Sequence, residues 1–141
     1  MNIDASIVYE ETYFNSALEE SAKQFALFHH KIETEFKEVD KVSISPIDTD
    51  SFQVTHAGIV LRIELWIKWE GKDEYSSTVM CYRVNPATGD ATLVDSLTWN
   101  GTDVNAVQFN DESVSFVEYG AYVLKFFIRK SYTPEVVEEI W

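Results

Sequence analysis

From Tyr13 to about Val39 the chain repeats every three or four positions. Phe14, Leu18, Ser21, Phe25, Phe28, Ile32, Phe36 and Val39 fall on one narrow stripe when successive residues turn by about 100°. No Gly or Pro interrupts the run, so the spacing predicts one long helix. Thr12 or Asn15 is placed to cap its start, and Ser16 with Glu19 fits a capping box. Glu19 with Lys23, and Glu33 with Lys37, stand in the favourable order for pairs on a solvated face, and Leu27 falls on that face.

Beyond Asp40 the period drops to two. Val42-Ser43-Ile44 stops at Pro46, which marks an edge or lead-in strand, and Phe52-Gln53-Val54 precedes an Ala57-Gly58 break. The clearest strand follows: Ile59, Leu61, Ile63, Leu65, Ile67 and Trp69 share one face, with Val60, Arg62, Glu64, Trp66 and Lys68 on the other. Gly71 to Glu74 makes a hairpin loop into Tyr75–Val84, and Asn85 to Asp90 is a turn by composition. It leads into Ala91–Trp99, with Leu93, Leu97 and Trp99 assigned to one face. Asn100-Gly101 suits a type I′ turn returning along Val104–Phe109. Val114–Lys130 is apolar on both faces and reads as a central strand, bent near Gly120. Thr133-Pro134-Glu135 then opens a terminal helical segment to Trp141.

The expected fold is therefore α+β: a long N-terminal helix packed on a five- or six-stranded, largely antiparallel sheet, closed by a short C-terminal helix. At 141 residues, one domain spanning 1–141 is the natural count. A long first helix followed by a meandering antiparallel sheet resembles cystatin-like rolls, an architecture that serves many functions. Size, acidity and the α+β build resemble those of bacterial immunity and anti-defence proteins, a compositional likeness that carries no residue across.

Charge changes the picture. The chain carries 24 acids against 11 bases, a net charge of −13. That sign disfavours a phosphate backbone as partner, because such binding draws on clustered Lys and Arg. A basic protein partner fits better. Hydrophobic residues at 45% separate the chain from disordered acidic tails. The start, Met1 to Ala5, lacks a basic region followed by an apolar core, and Cys81 stands alone, so the expected location is the cytoplasm, with no membrane association. The Asn100-Gly101-Thr102 sequon then has no glycosylation role.

The four long strand-like runs hold six bases, Arg62, Lys68, Arg83, Lys125, Arg129 and Lys130, against three acids, Glu64, Asp95 and Glu118. This distribution predicts an acidic rim around a locally positive β layer. Acids pair at strand ends as Asp48 with Asp50, Asp73 with Glu74, and Asp111 with Glu112. Gathered at one end, such pairs steer a basic protein into contact.

The leading expectation is a noncatalytic, acidic protein-binding module, of inhibitor or immunity type, using Asp73, Glu74, Asp111 and Glu112 with Trp66 as anchor. The alternative is a small anionic ligand or single-stranded nucleic acid held on a basic and aromatic sheet face by Arg62, Lys68, Arg83, Lys125, Phe127 and Arg129. The bland account of both sets is solvation and cross-strand charge pairing.

Catalytic and metal chemistry finds little support. His29 and His30 are adjacent, so on a helix they point about 100° apart, and no His-Glu-x-x-His pattern is present. His29 with Glu33 makes two ligands, too few for a site, and His29 reads as a packed boundary residue. Nothing local activates Cys81, Ser77 or Ser115, and there is no Gly-rich phosphate loop or nucleophile elbow. Glu64, Asp95 and Glu118 would make an acid/base pair only by sharing a cavity. Neither an enzyme nor a cofactor or metal is expected, and monomer and dimer stay equally open.

Overall fold

The stripe from Phe14 onward becomes the packed side of α1 (Ala5–Phe36), a helix of 32 residues in the computed structural model. The structure describes residues 5–71, 74–100, 107–109, 112–114 and 120–132. α1 begins at Ala5, well before Tyr13. The apolar stripe fades there because Glu10 and Glu11 flank a lone Ile7 on it, yet no Gly or Pro stops the helix. The Thr12 hydroxyl donates to the Val8 carbonyl at 2.8 Å, so Thr12 is a mid-helix residue and not a cap. Asn15 and the Ser16–Glu19 box also lie inside the helix. Glu33 reaches back to His29, and Lys31 pairs with Glu35 at 3.1 Å.

Five strands follow as an antiparallel meander in chain order: β1 (Val42–Asp48), β2 (Ser51–His56), β3 (Ile59–Gly71), β4 (Glu74–Val84) and β5 (Ala91–Asn100). The turns carry the signals the sequence predicted. Ala57 and Gly58 both adopt positive φ, 48° and 89°, between β2 and β3, the conformation a two-residue hairpin requires. Between β4 and β5, the Asn85 side chain accepts from the Ala87 N–H at 2.9 Å, and Gly89 turns at φ 79°.

The Ala57 N–H donates to the Lys41 carbonyl, which sets the alternation of β1: Ser43 and Ser45 turn their backbone groups toward β2, and Val42, Ile44 and Pro46 turn theirs to the free edge. Pro46 thus sits where its missing N–H costs the sheet nothing. β2 stops pairing with β3 at Glu64, whereas β3 runs on to Gly71, so the β3–β4 hairpin projects past the β1–β2 turn.

Both helices cover one sheet face. The core joins Phe25, Phe28 and Ile32 of α1 to Phe52, Val54, Leu61, Ile63, Leu65, Val79, Cys81 and Leu97 of the sheet. Ser21 and Ser77 meet inside it, hydroxyl to hydroxyl at 2.9 Å, so each buried oxygen is satisfied by the other.

The expected central strand Val114–Lys130 is corrected by the structure. Its second half is a helix, α2 (Gly120–Ser131), which completes the core with Val123, Leu124, Phe127 and Ile128. These residues and Gly120 recur at helical spacing, and that stripe decides between two periods that the apolar sequence satisfies equally. α2 packs on α1 where Gly120 allows it: a Cβ there would stand 3.1 Å from the Phe28 ring. Arg83 donates to the Ser131 carbonyl at 2.8 Å, capping the C-terminus of α2 with a cation.

Two smaller corrections concern strands. The β4–β5 register shifts between Cys81 and Tyr82, so Val94 is an extra residue and Leu93 lies on the face opposite Leu97. β6 (Val107–Phe109) pairs with β7 (Glu112–Val114) in a separate two-stranded sheet and does not extend the meander. Asn100 ends β5, and Gly101 of the expected turn and the segment Pro134 to Trp141 lie outside the described residues.

Candidate functional site

The open sheet face carries Gln53, Arg62, Glu64, Trp66, Lys68, Thr78, Met80 and Tyr82. On β3 the residues Arg62, Glu64 and Trp66 stand in a row, because alternate residues share a face. Both Glu64 oxygens are used: Oε1 lies 2.6 Å from Arg62 Nε, and Oε2 accepts from the Trp66 indole N–H at 2.9 Å. Arg62 also lies over the Tyr82 ring, 5.7 Å from its centre. This tie fixes the Trp66 ring while leaving it 55% exposed.

Beside Trp66, where β2 ends and β3 continues, lies a hollow of about 360 Å³. Its walls come from the β1–β2 turn, with Asp48, Asp50 and Ser51, and from Glu64 to Ile67 of β3. The Leu65 N–H donates to the Asp50 carbonyl at 2.8 Å and locks the turn against the strand. Glu64 is neutralised by Arg62, whereas Asp48 and Asp50 make no ion pair among the described residues. An exposed indole face beside two unneutralised carboxylates suits a cationic side chain. A roomier hollow between α1 and β1, about 710 Å³, is lined by Glu33 as well as Lys37 and His30, and this mixture of signs favours no charge.

Of the expected site residues, Trp66 stands on the open face of β3. Glu74 opens β4, exposed, at the hairpin end. Asp73 and Asp111 lie outside the described residues, and Glu112 begins β7. The acidic residues that do join Trp66 are Asp48, Asp50 and Glu64. Sequence reading singled out the first two as a pair and Trp66 as an anchor; the unequal lengths of β2 and β3, which bring them together, left no local signal.

The basic and aromatic sheet face is not assembled. Lys125, Phe127 and Arg129 belong to α2, and Phe127 is wholly buried in the core. Arg83 lies on the helix-covered face, opposite Leu61, and is spent on the α2 cap. Only Arg62 and Lys68 remain on the open face, the first held by Glu64 and the second 4.0 Å from Glu70. The locally positive β layer is corrected as well, because the reassignment of α2 removes three bases. The five-stranded sheet holds Arg62, Lys68 and Arg83 against Asp48, Glu64, Glu70, Glu74 and Asp95.

Asp95 faces α2 and pairs with Lys130 at 2.6 Å, whereas Glu64 projects from the opposite face; Glu118 lies outside the described residues. Cys81 is buried, and burial, with Asp95 nearby, pushes its thiol well above the usual range. His29 stacks on Phe52 with ring centres 4.3 Å apart, a packed boundary position as expected. Among the described residues no group of three or more His, Cys, Asp or Glu is placed to hold a metal ion, and no helix is long and apolar enough to cross a membrane.

Comparison of the chain with protein-family models, curated proteins and solved structures finds no match.

Proposed function

We propose that this protein is a noncatalytic, acidic binding module for a basic protein, of inhibitor or immunity type. The observation that carries this reading is the Trp66 hollow, where a fixed, exposed indole adjoins the carboxylates of Asp48 and Asp50, which make no ion pair among the described residues. An arginine or lysine of the partner enters it, with the ring stacked on the cation and the carboxylates setting its direction. The surrounding net charge of −13 adds association rate more than affinity.

The test uses an arginine-rich peptide and an aspartate-rich peptide of equal length, followed by tryptophan emission. The arginine peptide should give a saturable change that is absent in Trp66→Phe and about tenfold weaker in Asp48→Asn/Asp50→Asn. The same change in Trp66→Phe, or equal binding of the aspartate peptide, overturns the reading.

A further inference from the structure

α1 does two different things along its length. Its first buried residue is Ala17, and every residue from Ala5 to Tyr13 is exposed. The exposed stretch spans about 13 Å, two and a half turns, and displays Ile7 (52% exposed), Val8 (51%), Tyr9 (72%) and Tyr13 (48%). Ile7 is not randomly placed. It lies eighteen residues, about five whole turns, before Phe25 and one heptad before Phe14, so it continues the stripe with which α1 grips the sheet. Among the described residues Phe14 is the stripe's first partnered ring, edge-on to Tyr75 at 6.2 Å.

Charge identifies what belongs on this ridge. Glu10 and Glu11 flank Ile7 at about 60° on one side and about 40° on the other. From Ala5 to Ala22 there are four glutamates and no base. Two such ridges brought together would set like charges against each other, which disfavours a second copy of this chain, and an anionic membrane surface is repelled for the same reason. Ile7 has a carboxylate on each side and Tyr13 lies about 60° beyond Glu10, so apolar and acidic side chains alternate around this face, which is complementary to a helix that presents apolar side chains with lysines or arginines beside them.

We propose that the α1 overhang is a docking surface for a cationic amphipathic helix of another protein, with Ile7 and Tyr13 as its apolar contacts and Glu10 and Glu11 as its charged ones. This surface is separate from the Trp66 hollow and does not depend on it.

The experiment titrates the full chain into a labelled synthetic helix with leucine on one face and lysines flanking it, alongside a glutamate-flanked counterpart. The lysine helix should bind, more weakly as salt is raised, and the glutamate helix should not. Ile7→Ser/Tyr13→Ser and Glu10→Lys/Glu11→Lys should each weaken binding by about tenfold or more, with circular dichroism unchanged because all four side chains are exposed. In a Trp66→Ala background, which removes the hollow as a second cationic site, the same weakening by each double variant should persist, which separates this surface from the hollow. Equal binding by the serine variant, binding of the glutamate helix, or no binding overturns the proposal. So does a dimer in sedimentation that the serine variant dissolves.

Discussion

The two halves of α1 share a backbone conformation and differ in what stands on the stripe. From Ala17 onward the stripe is filled by Ser21, Phe25, Phe28 and Ile32, and the helix is anchored to the sheet; before Phe14, Glu10 and Glu11 flank a lone Ile7 on it and the helix stands clear. Helical propensity extends the rod, but only apolar occupancy binds it to the rest of the molecule. The contrast separates the contribution of a residue to stability from its contribution to a surface.

The sharpest way to break this contrast is truncation on each side. Phe28→Ala removes a fully buried ring that also holds Gly120 in place, and should cost about 3–5 kcal/mol in urea unfolding, whereas Ile7→Ser should cost under about 0.5 kcal/mol. Similar losses for both would mean that the overhang is packed.

A smaller effect is expected at the polar contact inside the packed half. Ser21→Ala leaves the buried Ser77 hydroxyl without its partner and should cost about 1–3 kcal/mol. Ser21→Ala/Ser77→Ala should cost less than the two single changes added together, because neither hydroxyl is then orphaned.

The smallest effect concerns protons. Burial against Phe52 lowers the His29 pKa below its usual value of 6.5, while Glu33, 2.6 Å from Nε2, opposes the shift and neighbouring His30 adds to it. A depressed histidine binds fewer protons folded than unfolded. Its stabilisation is complete above 6.5 and is lost as pH falls from there through the folded value. The urea midpoint should therefore drop between pH 8 and pH 5 by more in the parent than in His29→Gln, a difference that the overhang residues do not affect.

The legibility of the fold followed the same division. The packed half of α1 could be read from its stripe, and the meander from Ala57-Gly58 and the Asn85 to Asp90 turn, because there the local pattern and the tertiary environment agree. α2 could not be separated from a strand by alternation alone, since Tyr122, Val123, Leu124, Phe126, Phe127 and Ile128 leave no polar face at a period of two. The Val94 bulge moved Leu93 across the sheet without any Gly to announce it. At the candidate site, Trp66 and the Asp48–Asp50 pair were legible as residues but not as neighbours, because their meeting depends on β3 outrunning β2.

The outward orientation of Pro46 has a consequence for life at high concentration. Sheets polymerise when the backbone of one molecule zips onto the border of the next. On the β1 border the Val42 N–H is already taken by the Val39 carbonyl, and at Pro46 a ring stands where a donor is required, so from Val42 to Pro46 an incoming strand meets a complete backbone pair only at Ile44. So interrupted a border disfavours lateral growth along this margin of the molecule.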